Sequence, residues 1–238
     1  MPYTEFARYY DKIYRAQGKD YEREACRLHR LIQQYKQSSG NRLLDVGCGT
    51  GEHLRYLRSF YRVQGVDISA EMLARAKEKL SDVPLHQGDM RTFRLNTQFD
   101  VIVSLFGTIG YAETLSGLQE AVQNMVRHVR PGGVVLIEPW LEPGQIEDGR
   151  THVVVSEEEN EKVVRIGLTR IQGRLSEISF HFVIASAEGI RHFEEQHRLG
   201  LFTREEYKHI MQKCGLKVHF DKVGLSGRGM YVGQLPRP

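Results

Sequence analysis

The sequence is poor in features that mark several whole classes of protein. It holds only three cysteines, Cys26, Cys48 and Cys214. They are far apart, odd in number and include no Cys-x-x-Cys pair, so neither a disulfide framework nor a zinc site is indicated. Reduced thiols in a cytoplasm are the reading that follows. No apolar run approaches the roughly 20 residues that cross a bilayer, and the charged, aromatic amino terminus lacks the apolar segment of a secretion signal. No membrane partner is expected. Charge of one sign is missing too: 33 basic and 30 acidic residues give a formal +3 and are mixed along the chain. Without a basic stripe, a nucleic-acid partner is not expected. The ten histidines are scattered without metal-ligand spacing. There is no Gly-x-Ser-x-Gly elbow, no linker, no internal repeat and no low-complexity segment.

What is present is a regular alternation. Tyr21 to Tyr35 places Ala25, Leu28, Leu31 and Ile32 at helical spacing. Arg42 to Val46 is then a short apolar run stopped by glycines, as in a buried parallel strand. A helix is expected over 52–60, a strand over 63–67, and a helix over 70–80 with Ser69 as its N-cap. Strands at 84–87, 99–104 and 134–138 follow, with a helix over 118–128 and a turn at 131–133. Repeated strand-helix-strand units predict a parallel sheet joined by right-handed crossovers. After Trp140 the pattern changes to alternating polar and apolar residues, the mark of antiparallel strands with one wet face. A helix over 203–214 and strands at 216–223 and 229–234 close the chain. The expected fold is therefore α/β: a Rossmann-like, doubly wound, seven-stranded sheet, mostly parallel with its last strand antiparallel. One domain would span 1–238, with an antiparallel β-insertion over 141–200 serving as lid, dimer surface or both.

The chemistry concentrates at the strand ends. Asp45-Val46-Gly47-Cys48-Gly49-Thr50-Gly51-Glu52-His53 follows the first strand, and its glycines allow a tight turn that approaches a ligand at a helix amino terminus. Where a dinucleotide fingerprint wants its last glycine stands Glu52, which argues against NAD or FAD. Asp67 ends the second strand, where a carboxylate can accept from both ribose hydroxyls. Asp89-Met90 ends the third, where an acid can accept from the adenine amine. Taken singly, Asp67 or Asp89 could be no more than a helix or turn cap. Together with the glycine turn they describe a nucleoside pocket without a phosphate clamp, which points to S-adenosylmethionine, with S-adenosylhomocysteine as product. The expected cofactor residues are Asp45, Gly47, Cys48, Gly49, Gly51, His53, Asp67, Ile68, Asp89, Met90 and Leu105. The fourth strand ends Ser104-Leu105-Phe106-Gly107, without the acids of a Mg²⁺-dependent O-methyltransferase and without an Asn/Asp-Pro-Pro-aromatic run. A metal-free transfer to a small nucleophile is what remains.

Beyond these motifs the chain resembles the nucleotide-linked aminosugar N,N-dimethyltransferases of deoxysugar (desosamine-type) biosynthesis. The resemblance is carried by Tyr14 with Gly18-Lys19-Asp20-Tyr21, Cys48-Gly49-Thr50-Gly51, His86-Gln87-Gly88-Asp89-Met90-Arg91, Ile109-Gly110-Tyr111, and Pro131-Gly132-Gly133-Val134-Val135 with Glu138-Pro139-Trp140. Arg191-His192-Phe193, Leu201-Phe202 and Ser226-Gly227-Arg228-Gly229 extend it to the carboxyl end. It departs at Leu141, where the family usually has a second tryptophan, and at Gly167-Leu168-Thr169, where it has a Ser-His-Ser stretch. The resemblance implies a homodimer that methylates twice the amine of a dTDP-linked amino-deoxysugar. Tyr14 and Tyr111 would then orient the amine as candidate catalytic residues, and Tyr14, Trp140, Arg165 and Arg228 would contact substrate, with Arg228 facing the diphosphate. Methylation of another small-molecule or peptide amine, or a non-catalytic cofactor-binding module, is the alternative reading.

Overall fold

In a computed structural model, which describes residues 3–237, the alternation of apolar runs and helical stretches resolves into two sheets. The first contains β1 (Arg42–Val46), β2 (Arg62–Asp67), β3 (Leu85–Gln87), β4 (Phe99–Ser104) and β5 (Val129–Ile137), completed by β10 (Lys217–Asp221) and β11 (Met230–Gln234) near the chain's end. Their order is β10-β11-β5-β4-β1-β2-β3. β1 to β5 pair in parallel, and β11 runs antiparallel to both its neighbours. All six residues of β4 are buried, because helices cover both faces: α2 (Tyr21–Tyr35), α3 (Glu52–Leu57), α4 (Ala70–Lys79), α5 (Leu115–His128) and α6 (Arg204–Lys213). The strand order reverses between β4 and β1, and a crevice outside the carboxyl ends at such a point is where open α/β sheets take ligands.

Local chemistry explains most boundaries. The Ser69 hydroxyl accepts from Met72 N–H at 3.1 Å and starts α4 as expected. Helix α5 begins at Leu115, earlier than its apolar pattern suggests, because Thr114 Oγ1 accepts from Gly117 N–H at 3.0 Å. Strand β5 also starts earlier, at Val129, and carries Pro131-Gly132-Gly133 within it, with a register shift against β4 between Phe99 and Val101. A side chain at Gly133 would meet the Asp100 carbonyl oxygen at 2.8 Å, so the two strands approach there only through glycine.

The second sheet contains β6 (Thr151–Glu157), β7 (Glu161–Gln172), β8 (Leu175–Ser186) and β9 (Gly189–Gly200), all antiparallel and adjacent in sequence order. Its inner face, with Val163, Ile178, Phe180, Phe182 and Leu199, packs on Phe6, Tyr9 and Ile13 of the amino-terminal segment. That segment, ending in α1 (Tyr10–Ala16), is wedged between the second sheet and the first. The Ser69 hydroxyl reaches the Tyr3 carbonyl at 3.3 Å, and Lys79 Nζ pairs with Asp11 at 2.6 Å. On the outer face of the second sheet Val153, Val155, Ile166 and Ile190 are exposed. Among the described residues no helix is long and apolar enough to cross a membrane.

Candidate active site

The turn after β1 is built from backbone. Gly47, Gly49 and Gly51 have φ of +77°, +55° and +77°. Gly47 and Cys48 donate their N–H groups to the Val66 carbonyl at 2.7 and 3.0 Å, and Gly49 N–H donates to Asp67 Oδ2 at 2.8 Å. The other oxygen of Asp67 accepts from Ser69 N–H at 2.9 Å. The loop after β1 thus fixes the carboxylate at the end of β2, whose acidity burial weakens. Next to it Ile68 is 49% exposed, an apolar side chain with an open face, while Cys48 and Leu105 are buried.

Asp45 behind the turn is 2% exposed, and its Oδ1 has no partner among the described residues. Burial pushes its pKa up to about 7; His53 opposes the rise and Asp67 adds to it. A buried carboxylate with a free oxygen beside a second carboxylate suits a cation, and the ammonium and sulfonium of S-adenosylmethionine have that chemistry. The donor set therefore fits this cofactor. Two expected cofactor residues have their side chains engaged elsewhere. His53 Nε2 lies 2.7 Å from Glu24 on α2. The Asp89 carboxylate takes Arg91 N–H at 2.8 Å and its guanidinium at 2.5 Å, with Arg91 holding the acid below its usual range; it meets an adenine amine only by sharing or exchanging that partner. Met90 beside it is half-buried.

Above the turn a cavity of about 920 Å³ brings together Tyr14, Tyr111, Trp140, Arg165 and Arg228. Most are positioned by contacts that cross between elements. Tyr14 stands edge-on to Phe106 at 4.9 Å. Trp140 donates from Nε1 to Ser176 at 3.0 Å. Arg228 lies against the faces of Phe106 and Trp140, 5.1 and 5.4 Å from their centroids, and donates from Nε to Ser226 at 3.0 Å. Glu138, fully buried, accepts from Phe106 N–H at 2.6 Å and from Ser226 N–H at 3.1 Å. The Glu-Pro-Trp and Ser-Gly-Arg-Gly stretches, remote in sequence, meet at this carboxylate. Arg165 is 2% exposed among Phe6, Tyr14 and Phe180, and its Nε and Nη1 have no described partner.

Several lining residues escape sequence reasoning. Lys19 is held between both Glu24 oxygens, each at 2.8 Å, and the Phe106 ring at 3.7 Å, and burial lowers its pKa. Arg23, Arg27 and Arg30 line one wall from α2; their i, i+4, i+7 spacing was the signal available. Tyr3 and His197 flank Tyr111, each 2.7 Å from its hydroxyl. In all, Lys19, Arg23, Arg27, Arg30, Arg150, Arg165 and Arg228 face the cavity against Asp20 and Glu24, a positive excess hidden by the balanced net charge. Pairing of β8 with β9 also brings His181 beside His192 and Glu194 on the outside of the second sheet, with their ligand atoms all within 4.8 Å of one another.

Residues 43–133 match the family model described as a methyltransferase domain. The dTDP-3-amino-3,6-dideoxy-alpha-D-glucopyranose N,N-dimethyltransferase of Streptomyces fradiae is 39% identical over 96% of this chain and 90% of its own. The crystal structure of Streptomyces venezuelae DesVI is 37% identical, with a TM-score of 0.92 over 98% of this chain and 99% of that one. SAM-bound CalS10, an amino pentose methyltransferase from Micromonospora echinaspora, is 36% identical with a TM-score of 0.85, covering 95% of this chain and 96% of its own. With a glycine turn, a carboxylate braced at the end of β2 and full-length relatives of this kind, the chain belongs to the dTDP-aminosugar N,N-dimethyltransferases, a family of S-adenosylmethionine-dependent enzymes.

Proposed function

We propose that this enzyme N,N-dimethylates the amine of a dTDP-linked amino-deoxysugar. The observation that carries this reading is the cavity's charge: seven cationic side chains against two acidic ones, next to a cofactor turn. Such a cavity suits an acceptor that brings a diphosphate. The relatives' named substrates, dTDP-linked 3-amino and 4-amino deoxysugars, have that chemistry.

The bound cofactor supplies a methyl group on a sulfonium, ready for in-line displacement by a neutral amine. The protein's task is to hold it and to aim the amine. Asp67, Ile68, Asp89, Met90 and Leu105 with the turn Gly47, Cys48, Gly49 and Gly51 would take the nucleoside, Asp45 would answer its cationic end, and His53, held by Glu24, would flank the turn from α3. Arg228 presents a planar fork suited to phosphate oxygens, stacked in advance by Phe106 and Trp140. Arg165 supplies a second, desolvated guanidinium. Tyr14 and Tyr111 orient the amine. Most of the acceleration then comes from alignment in a site covered by the amino-terminal segment and the 141–200 insertion. We assign that insertion a second role: the exposed apolar stripe of Val153, Val155, Ile166 and Ile190 is the surface on which a second copy docks to form a homodimer. Three free cysteines suit a cytoplasmic enzyme.

The test is mass spectrometry of the enzyme with S-adenosylmethionine and dTDP-3-amino-3,6-dideoxyglucose. Gains of one and then two methyl groups, with matching S-adenosylhomocysteine, are expected. No product despite measured cofactor binding overturns the sugar reading and directs the search to amines without a nucleotide.

A further inference from the structure

Tyr111 is not a free hydroxyl. Its oxygen lies 2.7 Å from Tyr3 Oη and 2.7 Å from His197 Nδ1. A neutral imidazole accepts at one nitrogen and donates at the other, and here the environment selects which. His197 Nε2 is buried without a hydrogen-bond partner among the described residues and lies 3.6 Å from Glu195 Oε2; a proton on Nε2 faces that carboxylate, and the lone pair then sits on Nδ1. Glu195 is itself fixed as a carboxylate: it accepts from Tyr3 N–H at 2.7 Å, Phe6 N–H at 3.1 Å and the Thr4 hydroxyl at 3.2 Å. Burial works to raise its pKa, but the His197 ring and the Phe6 and Tyr3 N–H groups outweigh it and bring it below the usual value. In that tautomer Tyr111 donates its single proton to His197 and accepts from the Tyr3 hydroxyl, so what it has left for the cavity is a lone pair and no proton.

We propose that His197 and Glu195 are positioning residues that make Tyr111 a one-way acceptor for the substrate amine and carry away the proton each methyl transfer releases. This deepens the aminosugar reading and rests on it. An amine whose N–H is donated to Tyr111 keeps its own lone pair free for the methyl carbon. As the nitrogen–carbon bond forms, the carbon–sulfur bond breaks and its electron pair leaves with the thioether. The resulting N-methyl ammonium carries one proton too many for a second attack. That proton passes to Tyr111 Oη while the phenol's own proton moves to His197 Nδ1, leaving an imidazolium beside the Glu195 carboxylate. It is lost to water when the spent cofactor is exchanged. Burial and the neighbouring Tyr3 push the Tyr111 pKa well up, so the phenol relays a proton rather than standing ionised.

The groups facing His197 leave little else to titrate. They are the Tyr3 ring at 4.9 Å, Phe6 at 6.4 Å, Phe180 at 5.0 Å, Tyr111 and Glu195. The Arg165 guanidinium lies 4.6 Å from the Phe180 centroid, and Tyr14 and Asp67 act on Tyr111 through space.

The test compares wild type, His197→Asn and Glu195→Gln for both methyl transfers across pH. Asn keeps an acceptor for the Tyr111 hydroxyl but cannot take its proton. For His197→Asn the first transfer should stay near wild type while the second slows by about 100-fold at pH 7, the usual scale of lost acid–base assistance. Monomethylated sugar should accumulate, and the second rate should recover as pH rises. Glu195→Gln should move the same profile in the same direction by less, and it carries the test if His197→Asn does not fold. Acceptor KM and cofactor affinity should stay within about twofold, since neither contact is removed. An unchanged mono-to-dimethyl ratio and pH profile, or equal loss of both transfers at every pH, overturns the relay. Failure of wild type itself to methylate the sugar would instead overturn the aminosugar reading.

Discussion

The two ends of the proposed active site are built in opposite ways. At the cofactor end, Asp45, the glycine turn and Asp67 fall within one stretch of chain, and their mutual contacts run largely through backbone N–H groups. At the acceptor end, the cavity collects Tyr14, Tyr111, Arg165, His197 and Arg228, which meet only through side chains on separate elements. A contiguous backbone site tolerates few residue types; a composite side-chain site can change one wall while keeping the others. The largest expected effect tests the first half of that contrast. Gly47→Ala places a Cβ at a φ of +77°, 2.1 Å from Thr108 Cγ2, with Thr108 Cβ and Oγ1 at 3.1 and 3.3 Å, so the branched neighbour must both turn and shift to make room. Strain and overpacking together should cost about 2–4 kcal/mol of stability. Thermal unfolding should show it, with cofactor affinity by calorimetry falling in parallel. A variant with wild-type melting and affinity would mean that this turn is less constrained than its geometry says.

A change to one wall should leave the cofactor end alone. Glu138→Gln retains the shape of the fully buried side chain but puts a donor where Phe106 N–H or Ser226 N–H now donates. The mismatch should cost about 1–3 kcal/mol, expressed mainly through Arg228. Acceptor KM should rise by about tenfold or more while cofactor affinity stays within about twofold. Equal loss of both would show that the two ends are one cooperative unit.

The same contrast explains what could be read in the sequence. The strand–helix alternation and the turn were legible because their causes are local: Ser69 caps α4 three residues away, and a buried parallel strand shows itself as an apolar run. The end of α3 at Leu57 and the early start of β5 were not, since each depends on what the segment packs against. That Tyr14, Tyr111, Trp140, Arg165 and Arg228 share one cavity was suggested only by resemblance. Glu195 and His197 look like ordinary alternating residues of β9, and nothing in their spacing indicates a phenol that the fold brings from a residue 86 positions away. The basic wall was hidden for a related reason: charges mixed along the chain can still segregate in space.

Titration offers a gentler probe of the cofactor end. Asp45 in the folded protein titrates near 7, well above its usual value. A raised carboxyl pKa contributes stability that is fully present below the unfolded value and is lost as pH rises through the folded one. The cofactor-free protein should therefore lose stability between about pH 4 and 7 through this group, and Asp45→Asn should remove that slope. Cofactor binding should respond with the opposite sign, because a cation prefers the ionised acid. Affinity should tighten about tenfold from pH 6 to pH 8 in wild type and stay flat in Asp45→Asn, as titration calorimetry in two buffers would show. A flat wild-type profile would mean that Asp45 is ionised throughout or does not face the cofactor's charge.

The smallest effect is expected from Tyr14→Phe, the removal of one hydroxyl from the acceptor wall. Its ring is held by Phe106 and Tyr10 at 4.9 and 4.5 Å, with Arg165 at 5.3 Å over its face, and phenylalanine keeps all of these contacts. An amine aimed by Tyr14 and Tyr111 together still has Tyr111 after the change, so kcat should fall by less than about tenfold with the pH profile unmoved. Loss of more than about a thousandfold would exceed what orientation by one hydroxyl can supply and would make Tyr14 an acid–base group. In that event the proton would leave through the amino-terminal helix rather than through the sheet above it, and the division between a backbone-built cofactor end and a side-chain-built acceptor end would stand with its catalytic centre moved to α1.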